Sequence, residues 1–260
     1  MLALKQQNLQ REICHTIMNP KELTDVALEH GGYETPELNE TLYLHYKGYR
    51  RIENLEPYIN LKALWLDSNG FDTIENLDRL QYLRCLYLQR NLLTKIENLE
   101  SLQNLVHLDL SENRIKILNG LSSLPILSTL NLAKNCLCDS HSISHLQECP
   151  SISSIDFSNN DLNGDDLIPI FSKLHKLTSM NMNGNPALSD VKDFRKRVIS
   201  IVKGLLYLDR PVFEIERAGV EAWALGGRKA ELKVKQEWHE MKKKQEKQSL
   251  QVAITFYYSY

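Results

Sequence analysis

This 260-residue chain contains no run of about 18 consecutive apolar residues, the length that a membrane-spanning helix requires. Its first residues, MLALKQQNLQREICHTIMNP, have no apolar core of signal-peptide length, because polar side chains interrupt them from Lys5 to Asn8. The formal net charge is only −2, whereas a strong basic excess is typical of dedicated nucleic-acid binders. We therefore expect neither a membrane nor a nucleic acid as a partner.

Cysteine is sparse, and its distribution does not suggest a disulfide framework. The five cysteines are an odd number, and none of them forms a Cys-x-x-Cys pair. Without an export signal, free thiols in a reducing, cytosolic-side compartment are the expected state. The cysteines are Cys14, Cys85, Cys136, Cys138 and Cys149.

The common catalytic motifs are also missing: the chain has no GxSxG, no glycine-rich phosphate loop with Lys, and no HExxH. The nearest approach to a metal site is Cys136-x-Cys138 followed by His141 and His145. Its single intervening residue is shorter than the usual spacing of about two to four residues in structural zinc sites, so solvated or packed cysteines are the better interpretation. We predict a protein that is not an enzyme and uses no cofactor, metal or small-molecule substrate.

What the chain has instead is an internal repeat. The tetrapeptide Ile-Glu-Asn-Leu occurs at 52–55, 74–77 and 96–99, with a separation of 22 residues each time. It belongs to a longer pattern, L-x-x-L-x-L-x-x-N, whose asparagines are 22, 22, 22, 25 and 25 residues apart. An earlier, degenerate copy has Lys47 where the asparagine would stand, which brings the number of copies to seven. The asparagines are Asn69, Asn91, Asn113, Asn135, Asn160 and Asn185.

This period and consensus predict an α/β fold, a leucine-rich-repeat solenoid of about seven repeats of 22–25 residues over residues 37–184. The L-x-L core alternates as a strand does, with its leucines on one face. The asparagine is predicted to bond backbone groups at the bend, its usual role in turns. In Ile-Glu-Asn-Leu we expect Ile and Leu in the core and Glu-Asn on the outer turn. The recurrence thus specifies architecture and not chemistry.

A solenoid needs a cap at each end. Asn19-Pro20 followed by KELTDVALEHGG predicts a helix with Asn19 as N-cap and Gly31 as its stop, so residues 1–36 are predicted to form a helical N-terminal cap. Residues 185–227 are predicted to form a C-terminal cap with an amphipathic helix and the strand-like segment LLYLD. The inward residues of that cap are Phe194, Val198, Ile201, Val202 and Leu205.

Residues 228–260 are predicted to form a charged helix and an apolar tail. From Arg228 to Lys247 there are eight basic and four acidic residues, a net charge of +4, which is typical of a solvated helix that leaves the domain. A contact with an acidic partner is the less favoured alternative. The last twelve residues, SLQVAITFYYSY, are uncharged and rich in strand-forming residues, and so abrupt a change suggests a truncated or alternatively spliced end.

The residue between the two strand leucines should form a row on the concave face, with neighbours about 4.8 Å apart. That row begins with three aromatics and continues with Asp and Asn. Exposed aromatics beside small neighbours are typical of binding hot spots, so we predict a protein-binding site here. Carboxylates on this face argue further against nucleic acid. The predicted site comprises Tyr43, Trp65, Tyr87, Asp67, Gln89, His107, Asp109, Asn131 and Asp156.

Two structural alternatives compete with this prediction. The three rings could simply stack on one another, which is worth roughly 0.5–1.5 kcal/mol per pair. Alternatively, residues 1–36 could fold back and cover them. We favour the binding interpretation over both.

Three segments together resemble the leucine-rich-repeat axonemal dynein assembly factors (assembly factor one) over about residues 20–228. The resemblance implies a scaffold for preassembly of dynein arms in the cytoplasm, with association at the cilium or flagellum. It implies axonemal dynein chains, other dynein assembly factors and chaperones as partners. Members of the family usually continue into a long acidic, low-complexity region. The segments are LNETLYLHYKGYRRIENLEPYINLKALWLDSNGFDTIENL, LYLQRNLLTKIENLE and, most specific, LDRPVFEIERAGVEAWALGG.

Two other kinds of protein with similar repeats remain open. A regulatory subunit of type-1 protein phosphatase would copurify with a phosphatase and would have many more repeats. A spliceosomal leucine-rich-repeat adaptor would copurify with its partners in a ribonuclease-sensitive manner.

Overall fold

The computed structural model describes residues 17–257, in which short strands stack side by side between helical ends. Each repeat contributes a strand of three residues, because only the L-x-L core of each copy is extended. The strands are β1 Thr41–Tyr43, β2 Ala63–Trp65, β3 Cys85–Tyr87, β4 His107–Asp109, β5 Thr129–Asn131, β6 Ser154–Asp156, β7 Ser179–Asn181, β8 Tyr207–Leu208 and β9 Arg210–Pro211.

Helices lie at the two ends and on the return segments of the longer repeats. The 22-residue copies return without a regular helix, whereas the extra residues of the 25-residue copies accommodate short helices. The helices are α1 Pro20–Glu29, α2 Ser140–Ile143, α3 Leu167–Phe171, α4 Ala187–Asp190, α5 Phe194–Ile201 and α6 Glu214–Tyr257, with 3-10 turns at Pro36–Leu38 and Ser144–Glu148.

Strands β1 to β8 pair in parallel in the order of the chain. The register is that of the sequence repeat, so that Leu42 pairs with Leu64, and Leu64 with Leu86. These leucines have no exposed surface and belong to one apolar core that continues through the stack. A single repeat could not bury this face by itself, and stacking supplies the missing cover. The predicted α/β leucine-rich-repeat solenoid is confirmed.

The consensus asparagines form a ladder of buried hydrogen bonds along the stack. In one rung, Asn113 Oδ1 accepts from the backbone N–H of Leu93 at 3.0 Å. Its Nδ2 donates to the carbonyls of Leu88 and Leu110 at 2.9 and 3.0 Å. One side chain therefore satisfies backbone groups of its own repeat and of the preceding one, where no strand partner is available. The role predicted for these asparagines is confirmed.

The asparagines of the Ile-Glu-Asn-Leu segments form a second row. Asn76 and Asn98 both have φ of 58°, in the left-handed region, and their side chains donate to the carbonyls of Ile52 and Ile74 at 2.6 Å. In the next copy Gly120 takes this position with φ of 70°. Asparagine and glycine are the residues that tolerate this conformation best. The Asn of the tetrapeptide therefore links neighbouring repeats, which the repeat pattern alone did not show.

Helix α1 caps the first repeat. Asn19 Oδ1 accepts from the Glu22 N–H at 3.0 Å, Pro20 is the first helical residue, and Gly31 has φ of 77°, as predicted for the start and stop of this helix. Asn54 Nδ2 donates to the Met18 carbonyl at 2.7 Å and so joins the cap to the second asparagine row. The buried residues of the helix are Leu23, Val26 and Ala27.

In the C-terminal cap, a side-chain carboxylate takes the place of the backbone carbonyl that a further repeat would supply. Met182 donates its N–H to the Asp209 carboxylate at 2.5 Å, where the equivalent Leu44 and Leu66 donate to the carbonyl of the next strand. Burial raises the pKa of Asp209, against the opposing effects of the Met182 hydrogen bond and the nearby arginine. The chain then reverses into antiparallel β9, whose Pro211 has no N–H to offer a further strand.

Glu216 at the start of α6 holds this cap together. Arg195 makes two hydrogen bonds to its carboxylate at 2.8 Å, and Arg210 makes two more at 2.9 and 3.1 Å. These contacts, the Arg195 hydrogen bond first, lower the pKa of Glu216. Bidentate arginine–carboxylate pairs fix orientation as well as contact, so α5, β9 and α6 are locked to one another.

Helix α6 is broken at Gly227, whose φ of 68° and ψ of −162° lie in a region open essentially only to glycine. The chain reverses there, and the two parts of the helix lie against each other. The close approach is seen at Gly219, where a Cβ would lie 3.0 Å from Lys235 Cε. Glu231 is buried and accepts from Lys196 and Lys235 at 2.7 and 2.6 Å. The prediction that the charged helix leaves the domain as a solvated element is therefore wrong for its first turns. Residues 239–250 of the same helix are exposed.

Two of the three predicted domain boundaries can be located on the structure, and the division itself stays a prediction. The boundary at 36/37 lies in the 3-10 turn Pro36–Leu38, and the one at 227/228 lies at the reversal. The tail is helical as far as Tyr257, despite its strand-forming composition. Residues 1–16 of the predicted N-terminal cap and residues 258–260 lie outside the described residues. Between residues 17 and 257, no helix combines the length and the apolar character that crossing a membrane requires.

We predict that Asn113→Ala lowers the free energy of unfolding by about 2–4 kcal/mol, because it leaves buried donors and acceptors of two repeats without partners. Urea unfolding followed by circular dichroism measures this loss. The matched control is Asn104→Ala, since Asn104 is exposed and makes one hydrogen bond to Gln81. A loss at Asn113 no larger than at Asn104 would contradict the ladder as a source of stability.

Gly120 offers a test of the second row. A Cβ there would lie 3.1 Å from the Ile96 carbonyl oxygen, so we expect Gly120→Ala to cost about 1–2 kcal/mol at this positive φ. Gly120→Asn should restore most of that loss, because its side chain can donate to Ile96 as Asn98 donates to Ile74. Thermal unfolding of the two variants gives the comparison. Equal losses of stability for Ala and Asn would contradict a stabilising hydrogen bond at this position of the second row.

Candidate functional site

The predicted row lies on the concave face, as the strand register requires. Tyr43 is paired with Trp65, and Trp65 with Tyr87, so their side chains are neighbours. The ring centroids of Tyr43 and Trp65 are 4.4 Å apart with an interplanar angle of 25°. Those of Trp65 and Tyr87 are 4.9 Å apart with an angle of 15°. The three rings are therefore stacked nearly parallel, and all three are half-buried.

A histidine extends the stack at each end. His30 of α1 lies 5.0 Å from Tyr43, and His107 lies 5.1 Å from Tyr87, as measured between ring centroids. Burial lowers the pKa of His107, while the charge of Asp109 acts in the opposite direction. Both structural alternatives are thus partly present, since the rings do stack and α1 covers one end of them. His30 belongs to no repeat, so the repeat pattern could not have placed it here.

Stacking decides which part of each ring a partner can reach. The faces of Trp65 lie against Tyr43 and Tyr87, and the histidines occupy the two ends. What remains open is a ridge of ring edges, which carry the positive side of the aromatic quadrupole. A cation stacked over a ring face is therefore disfavoured on this row. The ridge is suited to apolar groups and to hydrogen-bond acceptors.

The second half of the row is polar, and its side chains form hydrogen bonds with one another and with nearby backbone groups. Asp109 accepts from the Ser111 N–H at 2.9 Å, from its hydroxyl at 2.7 Å, and from Asn131 Nδ2 at 2.9 Å. The pattern recurs two repeats later, where Asp156 accepts from Asn181 Nδ2 at 2.9 Å and from the Ser158 N–H at 2.7 Å. Asp109 thus accepts three hydrogen bonds and Asp156 accepts two.

The column beside the aromatic half is different. Asp67 is only 9% exposed, and within the described residues its carboxylate accepts one long hydrogen bond, from Ser68 Oγ at 3.3 Å. On the neighbouring strands, His45 Nδ1 and Gln89 Oε1 are buried and have no partner among the described residues. Unmet polar capacity is thus concentrated on the same three repeats as the rings.

The floor of the concave face has one sign of charge. In the three solvent-facing columns of the seven repeat strands, Asp67, Asp109 and Asp156 are present and neither Lys nor Arg occurs. Some basic residues lie directly beside these columns. Glu112 bridges Arg90 and Lys134 at 3.3 and 3.4 Å. A partner segment with positive charge would therefore suit the floor.

An open pocket of about 410 Å³ continues the row at its N-terminal end. It is lined partly by Tyr43 and His30, and also by Tyr33 and Leu38, both of which are 57% exposed. Sequence reasoning did not identify these two residues. The only available signal was their apolar character in a segment between the cap and the first strand.

The Cys136 and Cys138 segment has a structural explanation. Both cysteines are exposed, whereas His145 is largely buried. The ring Nε2 of His145 accepts from the backbone N–H groups of Leu121 and Ser122 at 3.1 and 3.2 Å. This histidine joins two repeats, as the asparagines do.

No protein-family model matches the chain. Among solved structures, two Listeria monocytogenes internalins are similar in fold. Internalin C2 has a TM-score of 0.52 and 20% identity, covering 72% of this chain and 91% of its own. A second internalin (internalin F) has a TM-score of 0.50 and 20% identity, covering 66% of this chain and 54% of its own. At this identity the likeness concerns the solenoid fold alone.

Much more similar sequences bear the name dynein axonemal assembly factor 1. The human protein is 59% identical over 228 residues, which is 87% of this chain and 31% of the relative. The mouse protein is 57% identical over 235 residues, 90% of this chain and 37% of the relative. The Drosophila yakuba homolog is 48% identical over 242 residues, 92% of this chain and 16% of the relative.

The chain thus spans well under half the length of these curated relatives, while nearly all of it aligns with them. Over about 90% of its length, this chain is therefore homologous to part of the proteins named dynein axonemal assembly factor 1.

Proposed function

We propose that this chain is a non-enzymatic, protein-binding scaffold that supports the assembly of axonemal dynein arms. The names of its relatives support the pathway. The concave face supports the mode of action, because a half-buried ridge of aromatic edges is the kind of surface from which protein-binding hot spots are built. This ridge of Tyr43, Trp65 and Tyr87 is the observation that carries the proposal.

The proposed setting is the cytoplasm, before the dynein arms enter the cilium or flagellum, with some of the protein associated with that projection. The proposed partners are axonemal dynein chains, other dynein assembly factors and chaperones. They would bind along the aromatic half of the row and the pocket of His30, Tyr33 and Leu38. The polar half, where Asp109 and Asp156 are already hydrogen-bonded, would contribute mainly charge.

We predict that changing Tyr43, Trp65 and Tyr87 together to Ala abolishes capture of dynein chains and chaperones from cytosol of cells that are building motile cilia. Loss of three central aromatics should weaken binding by roughly tenfold or more. The same change removes two ring stacks, so it should also lower the melting temperature. Affinity capture with mass spectrometry, paired with thermal unfolding, measures both effects.

Asn135→Ala is the control, because it weakens the buried ladder to Leu110 and Leu132 and leaves the row intact. If both variants unfold at lower temperature and only the triple variant loses its partners, the row binds them. Equal loss of capture would show that the rings serve stability alone. A wild-type protein that captures phosphatase or splicing proteins in place of dynein factors would refute the proposed function.

A further inference from the structure

Asp67 carries an unusual combination of burial and unmet charge. The residue as a whole is only 9% exposed, and a carboxylate in such a position normally accepts several hydrogen bonds. Asp67 accepts one, at 3.3 Å from Ser68 Oγ, among the described residues. The comparison lies within the same sheet, where Asp109 accepts three hydrogen bonds of 2.7 to 2.9 Å. Asp67 is therefore the least hydrogen-bonded of the three carboxylates on this face.

Its neighbours share this property. His45 and Gln89 occupy the same column on the adjacent strands, as the backbone bonds from Tyr46 to Asp67 and from Ser68 to Gln89 show. His45 Nδ1 and Gln89 Oε1 are buried and have no partner in the described chain. Both residues are half-buried as a whole, so they also reach the surface of this face. Asp67 and Gln89 offer acceptors, which call for a ligand rich in donors.

We propose that Asp67, with Gln89 and His45 beside it, receives the guanidinium of an arginine carried by the bound partner. This inference rests on the proposed function, since it names the chemistry of the partner at that same concave site. A guanidinium presents five donors in a planar fork and pairs with carboxylates in a bidentate manner. No Lys or Arg occupies the three columns, and Arg90 beside them is bonded to Tyr46 at 3.2 Å and to Glu112 at 3.3 Å.

The aromatic row supplies the second half of the recognition. Trp65 is two residues from Asp67 on the same face of the chain, so the aliphatic part of an arginine bonded to Asp67 would pass over the exposed ring edges. Stacking denies the guanidinium a ring face, which leaves the carboxylate as its anchor. The partner segment is therefore an arginine flanked by apolar side chains.

The direct test is an NMR titration of the full chain with the peptide acetyl-Leu-Arg-Leu-amide, observed at the indole N–H of Trp65. We expect saturable shifts, and about tenfold weaker binding for the otherwise identical citrulline peptide, which is neutral. Asp67→Asn should reduce the arginine peptide to the citrulline level. Asp78→Asn is the matched control and should change nothing, because it removes the same charge from an exposed position on the return segment of the same repeat, away from the row.

Three outcomes would overturn the inference: equal binding of the arginine and citrulline peptides, full binding by Asp67→Asn, or equal binding of acetyl-Leu-Lys-Leu-amide, which would remove the preference for a guanidinium. Thermal unfolding adds a second readout. We expect Asp67→Asn to melt at the same temperature as the wild type or higher, since the carboxylate makes only one long hydrogen bond within the described chain. A lower melting temperature together with unchanged peptide binding would assign Asp67 a structural role.

Affinity capture separates this inference from the proposed function. Dynein chains captured by wild type and by Asp67→Asn alike would overturn the arginine anchor and leave the proposed function standing. Failure of the wild type to capture dynein factors would refute the proposed function, whereas the peptide titration would still report on the arginine site.

Discussion

The buried asparagine ladder is the interaction on which the rest of the structure depends. Each repeat bends sharply after a strand of three residues and leaves backbone groups that no strand can reach. A side chain such as Asn113 supplies both the acceptor and the donor that the bend requires, and it does so for two repeats at once. This doubly shared contact fixes the register of the strands, and every row of side chains on the concave face follows from that register.

The aromatic row is a consequence of this register and shows how one feature serves two purposes. Placing Tyr43, Trp65 and Tyr87 on adjacent strands makes them stack, which stabilises the sheet and covers their faces. The edges that remain open form an apolar ridge beside Asp67, the least satisfied carboxylate of the face. Natural proteins tolerate unmet polar capacity mainly at functional sites, and its concentration on these repeats favours binding at this end of the solenoid.

The C-terminal cap solves the opposite problem, which is how to end a stack that would otherwise continue. Asp209 replaces the backbone acceptor of a further strand, and Glu216 locks the following helix in place through two arginines. Gly227 then turns the charged helix back so that Glu231 is buried between lysines. The segment LDRPVFEIERAGVEAWALGG is distinctive because several of its residues close the solenoid. They are Asp209, Arg210, Pro211, Glu216 and Gly227.

The sequence by itself determined the repeat fold, the start and stop of α1, the buried leucines and the order of side chains along the concave row. Those features depend on local periodicity and on residues 22 or 25 positions apart, which a repeat makes visible. Only the tertiary structure decided that His30 completes the stack, that Asp67 remains underpaired while Asp109 does not, and that the charged helix folds back on Lys196. His30 and Lys196 lie outside the repeats, and within the register the pattern shows which residues are neighbours but not whether their side chains orient to form a hydrogen bond.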